Sequence, residues 1–364
     1  MALKSMQIFG RISIAMPTSD KFESYPPLFR PNQTVDHGEN PTNKLPKSAS
    51  DYKLESQSDY VLPVIDFEHI NPQNLSEVCR EWGMFRLINH GVPDKLLKQL
   101  IDQANQLFSL SFESKQALFN SPLLYFWGTP ALILAGNALQ TDPHAQNHNW
   151  LEGLNVPLIK LSEFQCEDQL IQSFSSLLEE YGNHQTRLAK TIFNTMAEDL
   201  NFPPTKSESY LSPPTGFLRV YRYLRCPIAE QRWGIEEHTD SSVVTILHQD
   251  QVGGLQVYKD NKWLDVEPIH DTLIVNLGDM MQAMSNDEYV SAKHRVRVNM
   301  EQERISFGYF IFPGEGSVIE SPKYKPFTFD DFRAQKELDL KTTGIKIGLP
   351  RFRIGDEQEL PMED

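Results

Sequence analysis

Cysteine is scarce in this chain. Three occur among 364 residues, Cys79, Cys166 and Cys226, odd in number and far apart, so neither a disulfide framework nor a CxxC zinc site is on offer. A reducing compartment follows, and the expected location is cytoplasmic, with the nucleus as a second option. Long apolar runs are also missing: nothing approaches the ~18 to 20 residues needed to span a bilayer. Positive charge is the third shortage, with 34 Lys and Arg against 49 Asp and Glu. That balance argues against a grip on phosphate backbones or anionic membranes. A small-molecule substrate fits it better, with no nucleic acid and no membrane partner; a monomer is the expected state.

What is present reads as a globular chain able to bury a sizeable core, in one large catalytic domain or two. The first residues, "MALKSMQIFGRISIAMPTS", carry Lys4 and Arg11 and no acid before Asp20. They suit a frayed extension, with a transit peptide as the alternative. Residues 17–60 are rich in Pro, Ser, Asn, Asp and Lys and read as an irregular arm. Ordered structure is expected from "YVLPVIDF", an entry strand, followed by the helical spacing of "LSEVCREWGMF" and a short strand in "FRLINHGVP". Residues 94 to about 118 predict one amphipathic helix. The aromatic-rich stretch 121–165 has no clear period and suggests a lid or pocket wall. Helical spacing returns over 167–200, with a break expected at Gly182–Asn183. From Phe217 onward, β-branched runs such as "SVVTILHQ", "TLIVNLGD" and "RISFGYFIF" alternate with turn signals, which predicts an all-β unit of sandwich or jelly-roll type. A partial helix and a loose acidic tail close the chain.

The chemistry concentrates in that β half. His238 and Asp240 are separated by one residue, so in an extended segment both point to one face. His294, in "SAKHRVRV", opens another strand whose alternation partners Val296 and Val298 would share its face. Two imidazoles and a carboxylate can occupy one face of an octahedron and leave the other positions open, the arrangement of non-haem Fe(II) oxygenases. His90, His248 and His270 lack a patterned carboxylate partner and are expected to be ordinary satisfied polar residues. Ten residues past His294, Arg304 and Ser306 share one strand face. An interior guanidinium with no acid in its own strand is costly unless a bound anion neutralises it, and a carboxylate ligand fits that need.

"HTD", "TILHQDQVGGLQVY", "VNLGDMMQAMSN", "KHRVRV" and "RISFGYFIFP", with "VLPVIDF" and "EWGMFRLINHGVP" upstream, resemble the plant-type 2-oxoglutarate and Fe(II)-dependent dioxygenases over residues 60–340. The resemblance implies a mainly β protein with flanking helices, a double-stranded β-helix (jelly-roll) core carrying a helical N-terminal region. The corresponding division is an arm at 1–59, a helical region at 60–210, the core at 211–335, and a C-terminal helix and tail at 336–364. It also implies iron ligation by His238, Asp240 and His294, with the distal carboxylate of 2-oxoglutarate held by Tyr223, Arg304 and Ser306. O2 would be the second cosubstrate and ascorbate a reductant. The chain departs from the family's usual R-[VI]-N-Y-Y-P-P-C-P at "RVYRYLRCP": Tyr221 stands where asparagine is usual, and Leu224 and Arg225 replace the paired prolines.

Phe126, Trp127, Trp150 and Phe312 are candidates for an apolar substrate wall. The layout most resembles the gibberellin oxidases, so the expected reaction is hydroxylation or desaturation of a plant small molecule of gibberellin type. Flavonoid or alkaloid oxygenases share these motifs. Aminocyclopropane-carboxylate oxidases keep an R-x-S pair without using 2-oxoglutarate, and a non-catalytic binding protein on the same barrel is a further alternative.

Overall fold

A computed structural model of the chain describes residues 22–30, 61–128, 149–227, 229 and 232–355. The leading extension, most of the expected arm, the middle of the aromatic-rich stretch and the acidic tail beyond residue 355 lie outside the described residues.

The chain opens with β1 (Val64–Asp66), α1 (Pro72–Glu81) and β2 (Met84–Ile88). Asn71 starts α1 by accepting a hydrogen bond from the Asn74 N–H, with Pro72 fixed at the first helical position. The helix expected over 94–118 is two: α2 (Asp94–Phe108) and α3 (Phe112–Leu118). Ser111 caps the second by accepting from Ser114 N–H at 3.1 Å, and such a cap starts a new helix rather than continuing an old one. β3 (Leu124–Trp127) and β4 (Leu151–Pro157) follow, then α4 (Gln169–Asp199), capped by Asp168. The break expected at Gly182–Asn183 is absent. Gly182 serves packing instead, since a Cβ there would come within 2.5 Å of the Leu158 side chain.

After α5 (Pro204–Tyr210) the β unit runs through β5 (Phe217–Tyr223), β6 (Trp233–His238), β7 (Val244–Gln249), β8 (Leu255–Lys259), β9 (Lys262–Asp265) and β10 (Leu273–Leu277). Short α6 (Asp279–Met284), β11 (His294–Arg297), β12 (Arg304–Ile311), the hairpin of β13 (Val318–Ser321) and β14 (Tyr324–Thr328), and α7 (Phe329–Thr343) complete it. Thr328 and Asp331 cap α7 reciprocally, and Gly344 ends it at φ 75°.

Two sheets make the jelly roll. The larger runs β1-β2-β10-β7-β12-β5-β4-β3 and the smaller β6-β11-β8-β9. Period-two alternation gives each strand of the larger sheet two jobs. On β12, Ile305, Phe307, Tyr309 and Ile311 join the main core, where Phe307 meets Phe174 and Tyr181 of α4. The alternate residues Arg304, Gly308 and Phe310 line a cavity on the other side. Residues 22–30, the described part of the arm, bury Tyr25 and Phe29 against Trp127, Trp150 and Leu224. Among the described residues no helix is long and apolar enough to cross a membrane.

Candidate active site

His238 ends β6 and His294 begins β11, and the two are direct cross-strand partners. Their rings lie 4.3 Å apart between centroids. Asp240 is not on a strand: it occupies the connection from β6 to β7. Its orientation therefore comes from side chains. Thr245 Oγ1 donates to Asp240 Oδ2 at 2.7 Å and Asn276 Nδ2 donates to the same oxygen at 2.8 Å. Oδ1 is left facing the imidazoles, 3.6 Å from His238 Nε2 and 3.9 Å from His294 Nε2.

Each histidine is oriented in the same way. His238 Nδ1 lies 2.8 Å from the Glu236 carbonyl oxygen and His294 Nδ1 lies 2.9 Å from that of Ala292. A carbonyl only accepts, so each Nδ1 carries the proton and each Nε2 keeps its lone pair for a metal. Burial and the neighbouring His238 push His294 down to about 4, which keeps it neutral and ligand-ready at physiological pH. Burial alone would raise Asp240, but His294, His238 and Asn276 hold it well below the usual carboxylate range. Two imidazoles, each presenting Nε2, and one ionised carboxylate converge, with their ligating atoms within 4.8 Å of one another. A divalent iron fits this donor set.

The cluster opens into a cavity of about 1450 Å³ between the two sheets. Tyr223 and Arg304 line it and are cross-strand partners of β5 and β12. The Arg304 guanidinium lies 4.7 Å from the Tyr223 ring centroid. Its Nη2 donates to Gln249 Oε1 at 2.7 Å and its Nη1 to Ser306 Oγ at 3.4 Å, Ser306 being fully buried beside it. Arg304 is 2% exposed, has no ion-pair partner among the described residues, and its Nε–H donates to nothing. A buried cation with an orphaned donor fits a carboxylate ligand such as that of 2-oxoglutarate. Burial pushes the Tyr223 phenol up to about 12, so it remains a hydrogen-bond donor.

The aromatic candidates divide. Phe312 lines the cavity, with ring centroids 5.4 Å from Phe217 and 4.4 Å from Phe329. Phe126 does not: it is buried edge-on to Tyr221. Trp127 and Trp150 pack on Phe29 of the N-terminal segment, because β3 and β4 lie at the sheet edge that this segment covers. His90, His248 and His270 stay outside the cluster, but they are not all satisfied polar residues: both ring nitrogens of His248 are buried without a partner.

Sequence and fold both match known proteins. A family model described as the 2OG-Fe(II) oxygenase superfamily matches residues 214–313, and one described as non-haem dioxygenase in morphine synthesis N-terminal matches 62–157. Gibberellin 2-beta-dioxygenase 6 of Oryza sativa subsp. japonica is 35% identical over 319 residues, 80% of this chain and 84% of that protein. The chain belongs to the 2OG-Fe(II) oxygenase superfamily. Gibberellin 2-beta-dioxygenase 8 of Arabidopsis thaliana is likewise 35% identical, over 307 residues covering 80% of this chain and 86% of that one. The crystal structure of JOX2 in complex with 2OG, Fe and JA superposes with a TM-score of 0.63 at 28% identity, covering 82% of this chain and 90% of that one. The oxygenase therefore uses Fe(II) and 2-oxoglutarate, and is an oxidoreductase of plant dioxygenase type.

Four residues of this oxygenase's site escape a reading of motifs. Thr245 and Asn276 hold Asp240 from neighbouring strands, and Gln249 holds Arg304; their only signal is a polar residue on the inward face of an apolar strand. Lys346, after α7, pairs with Asp279 at 2.6 Å and donates to the Thr239 carbonyl at 2.7 Å, pinning the residue between two cluster members. Nothing local in "GIKIG" announces that.

Proposed function

We propose that this oxygenase hydroxylates or desaturates a gibberellin-type diterpenoid, with iron held by His238, Asp240 and His294 and the distal carboxylate of 2-oxoglutarate by Arg304, Ser306 and Tyr223. The observation that carries the cofactor assignment is the unpaired, buried Arg304 opening into the same cavity as the three-residue cluster. The relatives named gibberellin 2-beta-dioxygenase support the substrate class.

Bound iron with 2-oxoglutarate and O2 would supply oxidative decarboxylation and an oxidant able to attack an unactivated C–H bond. The chain's own contribution is placement. Thr245 and Asn276 fix the Asp240 carboxylate, the Glu236 and Ala292 carbonyls fix the two imidazoles, and Gln249 fixes Arg304. Leu247, Leu255 and Val296 contribute apolar wall to the cavity, which limits water around a reactive centre. Three cysteines, none joined in a disulfide, suit a cytoplasmic enzyme, which we take to act as a monomer.

The test is incubation with a panel of gibberellins, Fe(II), 2-oxoglutarate and ascorbate, read by mass spectrometry for gains of about 16 or losses of about 2 mass units. A gibberellin product with matching succinate supports the proposal. Succinate stimulated only by flavonoids or alkaloids would replace the gibberellin with one of those classes.

A further inference from the structure

The cavity holds a second cationic station that the cofactor chemistry does not use. Arg219, Tyr221 and Tyr223 alternate on β5 and all line the cavity. Arg219 thus stands four residues, about 13 Å, along the strand from Tyr223 and its partner Arg304. Tyr221, midway, is close enough to Asp240 for that carboxylate to act on its phenol. The iron cluster, Arg304 and Arg219 thus share one cavity, with the two cations at separate levels of the sheet.

Arg219 is held but not neutralised. Its Nε donates to Asn155 Oδ1 at 3.4 Å and its Nη1 to Tyr221 Oη at 3.3 Å. The guanidinium lies 5.1 Å from the Phe217 ring centroid and 5.3 Å from that of Phe310. No acid pairs with it among the described residues, and both Nη2 hydrogens and one on Nη1 are left over, a fork suited to a carboxylate. Gly308 is its partner across β12; a Cβ there would come within 2.8 Å of the Phe310 ring that flanks the guanidinium.

Lys336 of α7 lines the same cavity, again with no ion-pair partner among the described residues. Burial and the like charges of Lys346 and Arg219 push its ammonium down to about 8, against the opposing pull of Asp279 and Glu337. Asp279 is already paired with Lys346. Two cations that repel one another beside stacked Phe217, Phe310 and Phe312 make a place for an anion attached to an apolar body.

We propose that Arg219 and Lys336 bind a carboxylate of the organic substrate, so that the enzyme selects an apolar small molecule carrying a free acid and holds it with the reacting carbon toward the iron cluster. This deepens the function proposed above and rests on the cavity being the substrate site. Arg219 supplies the paired hydrogen bonds; Lys336 adds a point charge from the helix that closes the cavity.

The test uses three probe pairs, a gibberellin, a jasmonate and an auxin, each as free acid and methyl ester, titrated anaerobically into enzyme loaded with Fe(II) and 2-oxoglutarate. At least one acid is expected to bind about 10- to 100-fold tighter than its ester, the range of a charge-assisted pair. Arg219→Met and Lys336→Met should each narrow that ratio, their combination should bring it near one, and Arg219→Lys should restore part of it. Equal binding of acid and ester, an unaltered ratio in the double variant, or failure of all three acids to bind would each overturn the proposal. The two readings fail separately. A gibberellin oxidised as well in its ester form keeps the gibberellin and removes the station, whereas a ratio seen only for a jasmonate or auxin keeps the station and removes the gibberellin.

Discussion

The two faces of the larger sheet treat buried charge in opposite ways. On the helix side, Arg222 of β5 donates to Glu152 Oε1 at 2.8 Å and pairs with Glu303 at 2.8 Å; Lys115 of α3 meets Glu152 at 2.6 Å. Tyr25 and Ser24 of the N-terminal segment join this network, and Lys115 and Glu152 are fully buried. On the cavity side, three residues from Arg222 and one residue from Glu303, Arg219 and Arg304 make no ion pair among the described residues. A charge completed within the chain holds segments together, whereas a charge left incomplete in an enclosed space awaits a ligand. The same residue type is structural on one face and receptive on the other.

Removing the carboxylate from the cavity side should have the largest effect. Asp240→Ala is expected to lower iron-dependent succinate formation by more than about 100-fold, exceeding the 10- to 100-fold typical of a residue that only orients a ligand. Metal content after iron reconstitution checks it; a variant that retains both iron and turnover would remove Asp240 from the site. Next is the helix-side network. Glu152→Gln leaves Lys115 and Arg222 short of an anion and should cost about 3–5 kcal/mol in denaturant unfolding. Arg304→Met should cost much less stability, because it breaks no ion pair among the described residues, while the KM for 2-oxoglutarate rises about 10- to 100-fold. Equal destabilisation by the two substitutions would break the contrast between the faces.

Smaller effects sharpen it. Thr245→Val removes one of two donors to Asp240 Oδ2 and should weaken iron binding about 10-fold with little change in unfolding free energy. Competition with a chelator reads this directly. The smallest effect concerns His248, which lies on the helix side of β7 and is pushed down by burial to about 4 from an ordinary 6.5. Between those values the unfolded chain binds more protons than the folded one, so stability falls as pH drops from about 6.5 toward 4. His248→Phe should flatten that fall by about 1 kcal/mol at pH 5.5, measured by urea unfolding. An unaltered pH profile would assign the acid sensitivity elsewhere.

Legibility followed the same division. His238, Asp240, His294, Arg304 and Ser306 stand in short, ordered motifs, so their grouping could be anticipated before any contact was seen. The aromatic wall could not: Phe126, Trp127 and Trp150 have the right chemistry, but three are drawn into packing with Tyr221 and Phe29, and only Phe312 reaches the cavity. Gly182 shows the same limit in reverse. A helix-breaking residue by propensity, it is retained inside α4 because Leu158, distant in the fold's first half, needs the space.

Local sequence determined which residues could bind iron and a carboxylate, because ligand chemistry and strand alternation act over a few residues. Tertiary structure decided everything that depends on distant segments meeting. Asp240 lies outside a strand and is aimed by Thr245 and Asn276, Lys346 reaches back from beyond α7 to Thr239, and Arg219 of β5 and Lys336 of α7 line one cavity. The physical reason is range: rotamers, periodicity and caps are fixed by neighbours in the chain, whereas the partner of a buried charge is fixed only when the sheets close around it.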